Sequence, residues 1–172
     1  ARGVHTCHHG SFAHLRVHLS LQTANPKEGI LGKAFFQMQS ARRGAAAKAA
    51  GSTVPWASEG RSDVTRARAE AAGLEERQDL ASVIAESDVV LSVCPPHAAL
   101  DMAQEVAGLG FAGLYVDGNA VAPSTALKIG QRVEATGARF VDGGIIGPPA
   151  CHAGSTRLYL SGVGAEEAVQ LF

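Results

Sequence analysis

No apolar stretch in this chain approaches the ~20 consecutive residues that a membrane-spanning helix needs. The amino end also lacks the basic-then-apolar order of a secretory leader. Charge of one sign is missing as well. The 15 Lys and Arg stand against 16 Asp and Glu with no long run of either, so neither nucleic acid nor an anionic membrane is an expected partner. Cysteine is scarce: Cys7, Cys94 and Cys151 are an odd set without CxxC spacing. That argues against a disulfide framework and fits reduced thiols in the cytoplasm. Aromatic residues make up 5% and charged residues 18% of 172, so Ala, Gly and Val dominate the apolar fraction. Such a composition suits close-packed helices on a sheet, in about one domain of ~100 to 200 residues, and argues against wholesale disorder.

From residue 52 onward, short apolar runs alternate with helical patterns, the signature of βαβ units on a parallel sheet. "STVPWA" predicts a strand. "SDVTRARAEAAG" predicts a helix with Ser62 or Asp63 at its start and Gly73 at its end. "DLASVIAES" reads as a short helix, and "DVVLSV" as a strand buried on both faces. Then come a helix over "PPHAALDMAQEVAG", a strand in "GLYVD" and a helix over "APSTALKIGQRVEATG". "RFVDG", a Gly and Pro loop and "TRLYLSG" complete the order. Right-handed crossovers turn this order into a Rossmann-like, doubly wound, mostly parallel sheet.

Residues 1–40 break the pattern. They hold five of the seven histidines and no sustained period of 2 or 3.6, so they are expected to be poorly ordered. Cys7, His8, His9, His14 and His18 offer zinc-ligating chemistry, but in no recognised spacing, and no metal site is expected. The chain starts on Ala and stops within the helical pattern "AEEAVQLF", which suggests a fragment.

"VVLSVCPPHAALDMA", "YVDGNAVAPSTA" and "FVDGGIIGPP", the last followed by "GSTRLYLSG", carry a resemblance. In this order and spacing they resemble the amino-terminal NAD(P)-binding domain of the 6-phosphogluconate dehydrogenase and 3-hydroxyisobutyrate dehydrogenase superfamily, the β-hydroxyacid dehydrogenases. The match runs over roughly residues 41–164. The resemblance implies that the turn Val93, Cys94, Pro95 and Pro96 lies along the cofactor, and that Asn119 sits beside nicotinamide and substrate. It makes Gly143, Gly144 and Gly147 a substrate loop whose amides form an anion site. Ile146 stands where the family commonly has a substrate-binding Ser, and Pro148 replaces a glycine. Residues 165–172 would then open a carboxy-terminal helical region.

The turn after "PWAS" carries the choice of cofactor. NAD enzymes place Asp or Glu there, whereas Ser58, Arg61, Ser62 and Arg66 suit a 2′-phosphate, so NADP is expected before NAD. Upstream, the family register puts the three phosphate-loop glycines at Phe35, Gln37 and Ser40, none of which is glycine. Only "EGILG", residues 28–32, looks like a strand entering such a turn. The first strand and its glycine loop are therefore degenerate or missing, and a frame shift or a wrong start upstream would account for both.

The resemblance implies the cofactor domain of an NADP-dependent oxidoreductase, moving hydride to or from a secondary alcohol or similar group of a small substrate. The family's catalytic lysine would fall beyond Phe172, and Lys128 is not at a position the motif selects. A full-length form would be a homodimer. A non-catalytic nucleotide-binding module and an inactive truncated product are the rival readings.

Overall fold

The computed structural model describes residues 5–7, 14–19, 34–38, 53–147 and 156–169. Strands β1 (His5–Cys7), β2 (His14–Leu19) and β3 (Ala34–Met38) come first. Then follow β4 (Pro55–Ala57), α1 (Asp63–Ala71), β5 (Glu75–Arg77), α2 (Leu80–Ala85) and β6 (Val89–Val93). A short 3-10 turn at Pro96–Ala98 leads into α3 (Ala99–Gly108), β7 (Leu114–Asp117) and α4 (Pro123–Glu134). The order closes with β8 (Arg139–Ile146), β9 (Thr156–Ser161) and α5 (Ala165–Val169).

Seven strands form one sheet in the order β1-β2-β9-β8-β7-β6-β3, and β4 pairs with β5 in a second. The pairs β3/β6, β6/β7 and β7/β8 are parallel, while β9 and the two strands outside it are antiparallel. The fold is thus Rossmann-like and mostly parallel. Helices cover both faces. On one face, Ala69 of α1 and Ala165, Ala168 and Val169 of α5 share a core with Leu91, Leu114, Val116 and Val141. On the other, α2, α3 and α4 bury Val83, Met102, Val106 and Ile129 against Val90 and Tyr115. Both faces being covered, the central strands β6 and β7 are apolar except for Ser92 and Asp117 near their carboxyl ends.

The local signals act as expected. Ser62 caps α1 by accepting the Thr65 N–H at 3.4 Å, and Asp79 caps α2 by accepting that of Ser82 at 2.7 Å. Gly73, at φ 66, takes the left-handed turn that ends α1.

Three features depart from the sequence reading. First, β5 is a charged strand, Glu-Glu-Arg, paired only with β4. Second, β8 runs on through Gly143 and Gly144 to Ile146, because β9 pairs along it to Ile146↔Arg157. Third, segments of residues 1–40, expected to be poorly ordered, are sheet strands: β2 lies on the open edge of β9 and β3 on that of β6. Unpaired sheet edges accept such partners readily. With β3 in the first-strand position, that strand is degenerate rather than missing. Phe35 and Gln37 fall inside it instead of in a loop. Ser40, "EGILG" and the segment after Met38 lie outside the described residues.

Val54 O accepts from Glu75, and Ser58 N–H donates to Arg77 O, both across to β5. Alternation then turns Pro55 toward β3, where its missing N–H removes a ladder donor. The two strands sit side by side but in separate sheets.

Candidate functional site

Parallel β3, β6, β7 and β8 end at one edge of the sheet, which is where ligands bind in open α/β folds. Ser92, Asp117 and Asp142 occupy the same register across β6, β7 and β8 there. Ser92 and Asp117 are fully buried, and Asn119 is 5% exposed.

Asn119 joins two strand ends. Its Oδ1 accepts the Cys94 N–H at 2.7 Å, while Nδ2 donates to Ser92 Oγ at 3.2 Å and to Asp117 Oδ1. A backbone bond from Gly118 N–H to Ser92 O at 2.8 Å runs alongside. The turn Val93 to Pro96 is thereby tied to the end of β7. Val93, Cys94 and Pro95 are half-buried and Pro96 is exposed, so this turn presents a surface. Ala98 N–H donates to Pro95 O at 2.8 Å, starting the helical turn before α3.

Two buried polar atoms in this region, Asp117 Oδ2 and Tyr115 Oη, have no hydrogen-bond partner among the described residues. Burial pushes the Asp117 carboxyl up to about 7, with Asn119 opposing the rise and Asp142 adding to it. Burial likewise raises the Tyr115 hydroxyl and the Cys94 thiol, the latter against a weak contact to Ser92 Oγ at 3.9 Å.

The turn after β4 is a separate unit. Arg61 N–H donates to Ser58 O at 3.1 Å around Gly60, whose φ of 67 suits that position. Ser58 is buried, and its N–H bonds Arg77 O at 2.9 Å. Arg66 is committed to Glu76 at 2.6 Å and to Ser58 O at 3.1 Å, and the Ser62 hydroxyl caps α1. Arg61 is exposed and its side chain makes no hydrogen bond or ion pair among the described residues. Of the four residues expected at the 2′-phosphate, it alone has a free guanidinium.

Gly143 and Gly144 lie in the β8–β9 ladder opposite Leu160 and Tyr159, not in a loop. Space at Gly143 is filled: a Cβ there would stand 2.9 Å from Asp117 O and 3.0 Å from Leu160 Cδ2. Gly144 opens onto free space, and Gly147 follows the strand end. The proposed anion nest of three loop amides is therefore spread along a strand. Lys128 is exposed on α4, lining a groove of about 260 Å³ with Leu100, Gln104, Gln131, Arg132 and Ala135.

The sequence reading singled out Asn119 and the Val93–Pro96 turn but passed over Ser92, Tyr115 and Asp117. Their signal was a polar group inside strands otherwise apolar and buried on both faces, "VVLSV" and "LYVD". Among the described residues, no group of three metal-ligating side chains converges, and no helix is long and apolar enough to cross a membrane. Cys7 lies on β1 and His14 and His18 on β2, while His8 and His9 lie outside the described residues.

Comparison with known proteins gives the class. No family model matches the chain. An uncharacterised 28.5 kDa protein of Methanothermus fervidus is 38% identical over 88 residues, 51% of this chain and 34% of that protein. A conserved protein of unknown function, noted for structural similarity to 3-hydroxyacid dehydrogenases, superposes with TM-score 0.59 at 28% identity, covering 67% of this chain and 44% of its own. The 3-hydroxyisobutyrate dehydrogenase of Mycobacterium tuberculosis shares the fold with TM-score 0.61 at 20% identity, over 69% of this chain and 42% of that one. Imine reductases share it at 17 to 18% identity, among them a Myxococcus stipitatus variant in complex with NAD+ and an Aspergillus terreus enzyme in complex with NADPH4. The chain spans less than half the length of these relatives.

The domain is a Rossmann-like α/β unit. More narrowly, its fold is shared with 3-hydroxyisobutyrate dehydrogenase and imine reductases, and with a protein noted for structural similarity to 3-hydroxyacid dehydrogenases.

Proposed function

We propose that the chain is the cofactor-binding domain of an NADP-dependent oxidoreductase acting on a small substrate. The observation that carries this reading is the Val93–Pro96 turn, clamped by Asn119, at the shared carboxyl edge of β6 and β7. Arg61 and the Ser58 turn, at the same edge beyond β3, supply the charge that a 2′-phosphate needs and favour NADP over NAD. Ser62 contributes a hydroxyl and Arg66 braces the turn.

When bound, NADP supplies or accepts the hydride. The chain's part is to hold the nicotinamide end against the Cys94 turn and Asn119. Substrate would meet Asn119 and the open end of β8, at Gly144 and Gly147, with Gly143 acting as a packing residue beneath. A secondary alcohol that gives up the hydride, or the imine that imine reductases of the same fold reduce, is the class of reacting group. The proton donor or acceptor would come from residues beyond these, in a longer, homodimeric form working in the cytoplasm.

Thermal unfolding with NADPH and NADH tests the reading. Ligand at 100 times its dissociation constant stabilises by about 2.7 kcal/mol, or roughly 5–10 °C for a chain of this size. NADPH should produce that shift at lower concentration than NADH. No shift with either at millimolar concentration would refute it.

A further inference from the structure

We propose that Asp117 is a positioning residue of the crevice: it fixes which end of the Asn119 amide faces Cys94, and so holds the turn on which the nucleotide would lie. This rests on the nucleotide reading above for its consequence, though not for its geometry.

An amide can turn over, exchanging its oxygen and nitrogen. In one orientation Asn119 Oδ1 accepts the Cys94 N–H; in the other an NH2 group would confront that N–H, donor against donor. Ser92 cannot decide between them, because a hydroxyl both donates and accepts. Asp117 can. As a carboxylate it only accepts, so it draws Nδ2 to itself and leaves Oδ1 for Cys94. A protonated carboxyl can donate to the amide oxygen instead, and the preference weakens to what the Cys94 N–H alone supplies.

Among the described residues, the groups facing Asp117 are few. Asp142 lies at the same register on β8, Tyr115 precedes it on its own strand, and the Cys94 thiol adjoins from the end of β6. The buried residues of α3 and α4 over this part of the sheet, among them Ala99, Met102, Ala103, Ala126 and Ile129, carry no charge. His97 on the intervening turn is exposed. Asp117 Oδ2 has no partner among the described residues, which leaves room for the proton. A carboxyl that titrates near neutrality makes the amide's orientation respond to pH in the working range.

The test uses the whole chain, as wild type, Asp117→Asn and Asp117→Ala, without nucleotide and then with NADPH. In the wild type, the Cys94 backbone amide and the Asn119 side-chain amide resonances should titrate together near pH 7. NADPH affinity should fall several-fold from pH 8 to pH 6. Asp117→Asn, which keeps the shape but cannot ionise, should lose both pH responses, and Asp117→Ala should bind about tenfold more weakly at pH 8. Identical titration of the two resonances in wild type and Asp117→Asn would overturn the proposal, as would tight, unaltered NADPH binding by Asp117→Ala. A wild type that binds no NADPH defeats the nucleotide reading, and the two resonances then decide the role of Asp117 alone.

Discussion

Replacing Asp117 with Asn should stabilise the domain by about 4 kcal/mol at pH 8 but by only about 1 to 2 kcal/mol at pH 5. Asp117 is fully buried, and its carboxyl moves from an ordinary 3.8 to about 7 on folding. A raised carboxyl means that the folded state keeps a proton the unfolded chain has released. Stability from this group is therefore full below pH 3.8, falls as pH rises toward 7, and levels off above. The displacement is about 3 units, worth about 4 kcal/mol in all at ~1.36 kcal/mol per unit. Roughly 2 to 3 kcal/mol of it is lost between pH 5 and pH 8. In a chain of this size that amounts to roughly 5–10 °C in Tm. Asn is nearly isosteric with the protonated acid and does not titrate, so the variant's advantage should widen as pH climbs. Urea unfolding of both proteins at half-unit steps of pH measures the gap. Groups that titrate alike in both proteins cancel in the difference. A gap that stays constant from pH 5 to pH 8 would refute the assigned burial and ionisation of Asp117.

Arg61→Ala should weaken NADPH binding about 10- to 100-fold, the range of a charge-assisted contact to phosphate, while leaving NADH binding and Tm unchanged. Parallel fluorescence titrations with both nucleotides check this. Arg66→Ala should move the NADPH to NADH ratio less, because that guanidinium is held by Glu76 and Ser58 O, and the exposed ion pair it loses is worth only ~0 to 1 kcal/mol. Gly113→Ala should destabilise by about 2 to 3 kcal/mol, since its Cβ would lie 2.2 Å from Asp88 O and 2.7 Å from Phe111 Cζ. The Asp88 carbonyl is itself engaged by Leu114 N–H at 3.0 Å and is not free to retreat, so equilibrium unfolding should register the loss directly.

The central strands were legible because burial on both faces leaves only one kind of sequence: "VVLSV" and "GLYVD" are apolar runs of strand length. Helix limits were legible where a cap or a glycine stop does local chemistry, as at Ser62, Asp79 and Gly73. β5 was not, since three charged residues on a strand with a single partner carry no hydrophobic pattern to read. Nor was the length of β8: two glycines read as a loop, and only pairing with β9, a contact distant in sequence, extends the strand through them. At the site, Asn119 stood out as a polar residue in a turn. Asp117 and Ser92 did not, because a polar residue at a strand end ordinarily marks where burial stops. Here it marks a buried network, visible only when three strands are laid in register.

The site consists of two halves held by different means. At the centre, Cys94 N–H to Asn119 Oδ1 and Gly118 N–H to Ser92 O tie β6 to β7. At the flank, Ser58 N–H to Arg77 O and Arg61 N–H to Ser58 O shape the turn after β4. Neither set of bonds passes through residues 39–52, the stretch in which a phosphate-binding loop and its helix would follow β3. On the proposed function, the groups offered to the nicotinamide end and to a 2′-phosphate are therefore held by bonds that do not involve that stretch. A phosphate loop fixes the pyrophosphate between them through backbone amides and a helix N-terminus, so its quality governs affinity more than selectivity. On that same proposal, the side chains offered for the choice between NADP and NAD, and the Asn119 clamp, would persist in this chain while the loop sequence departs from the glycine pattern.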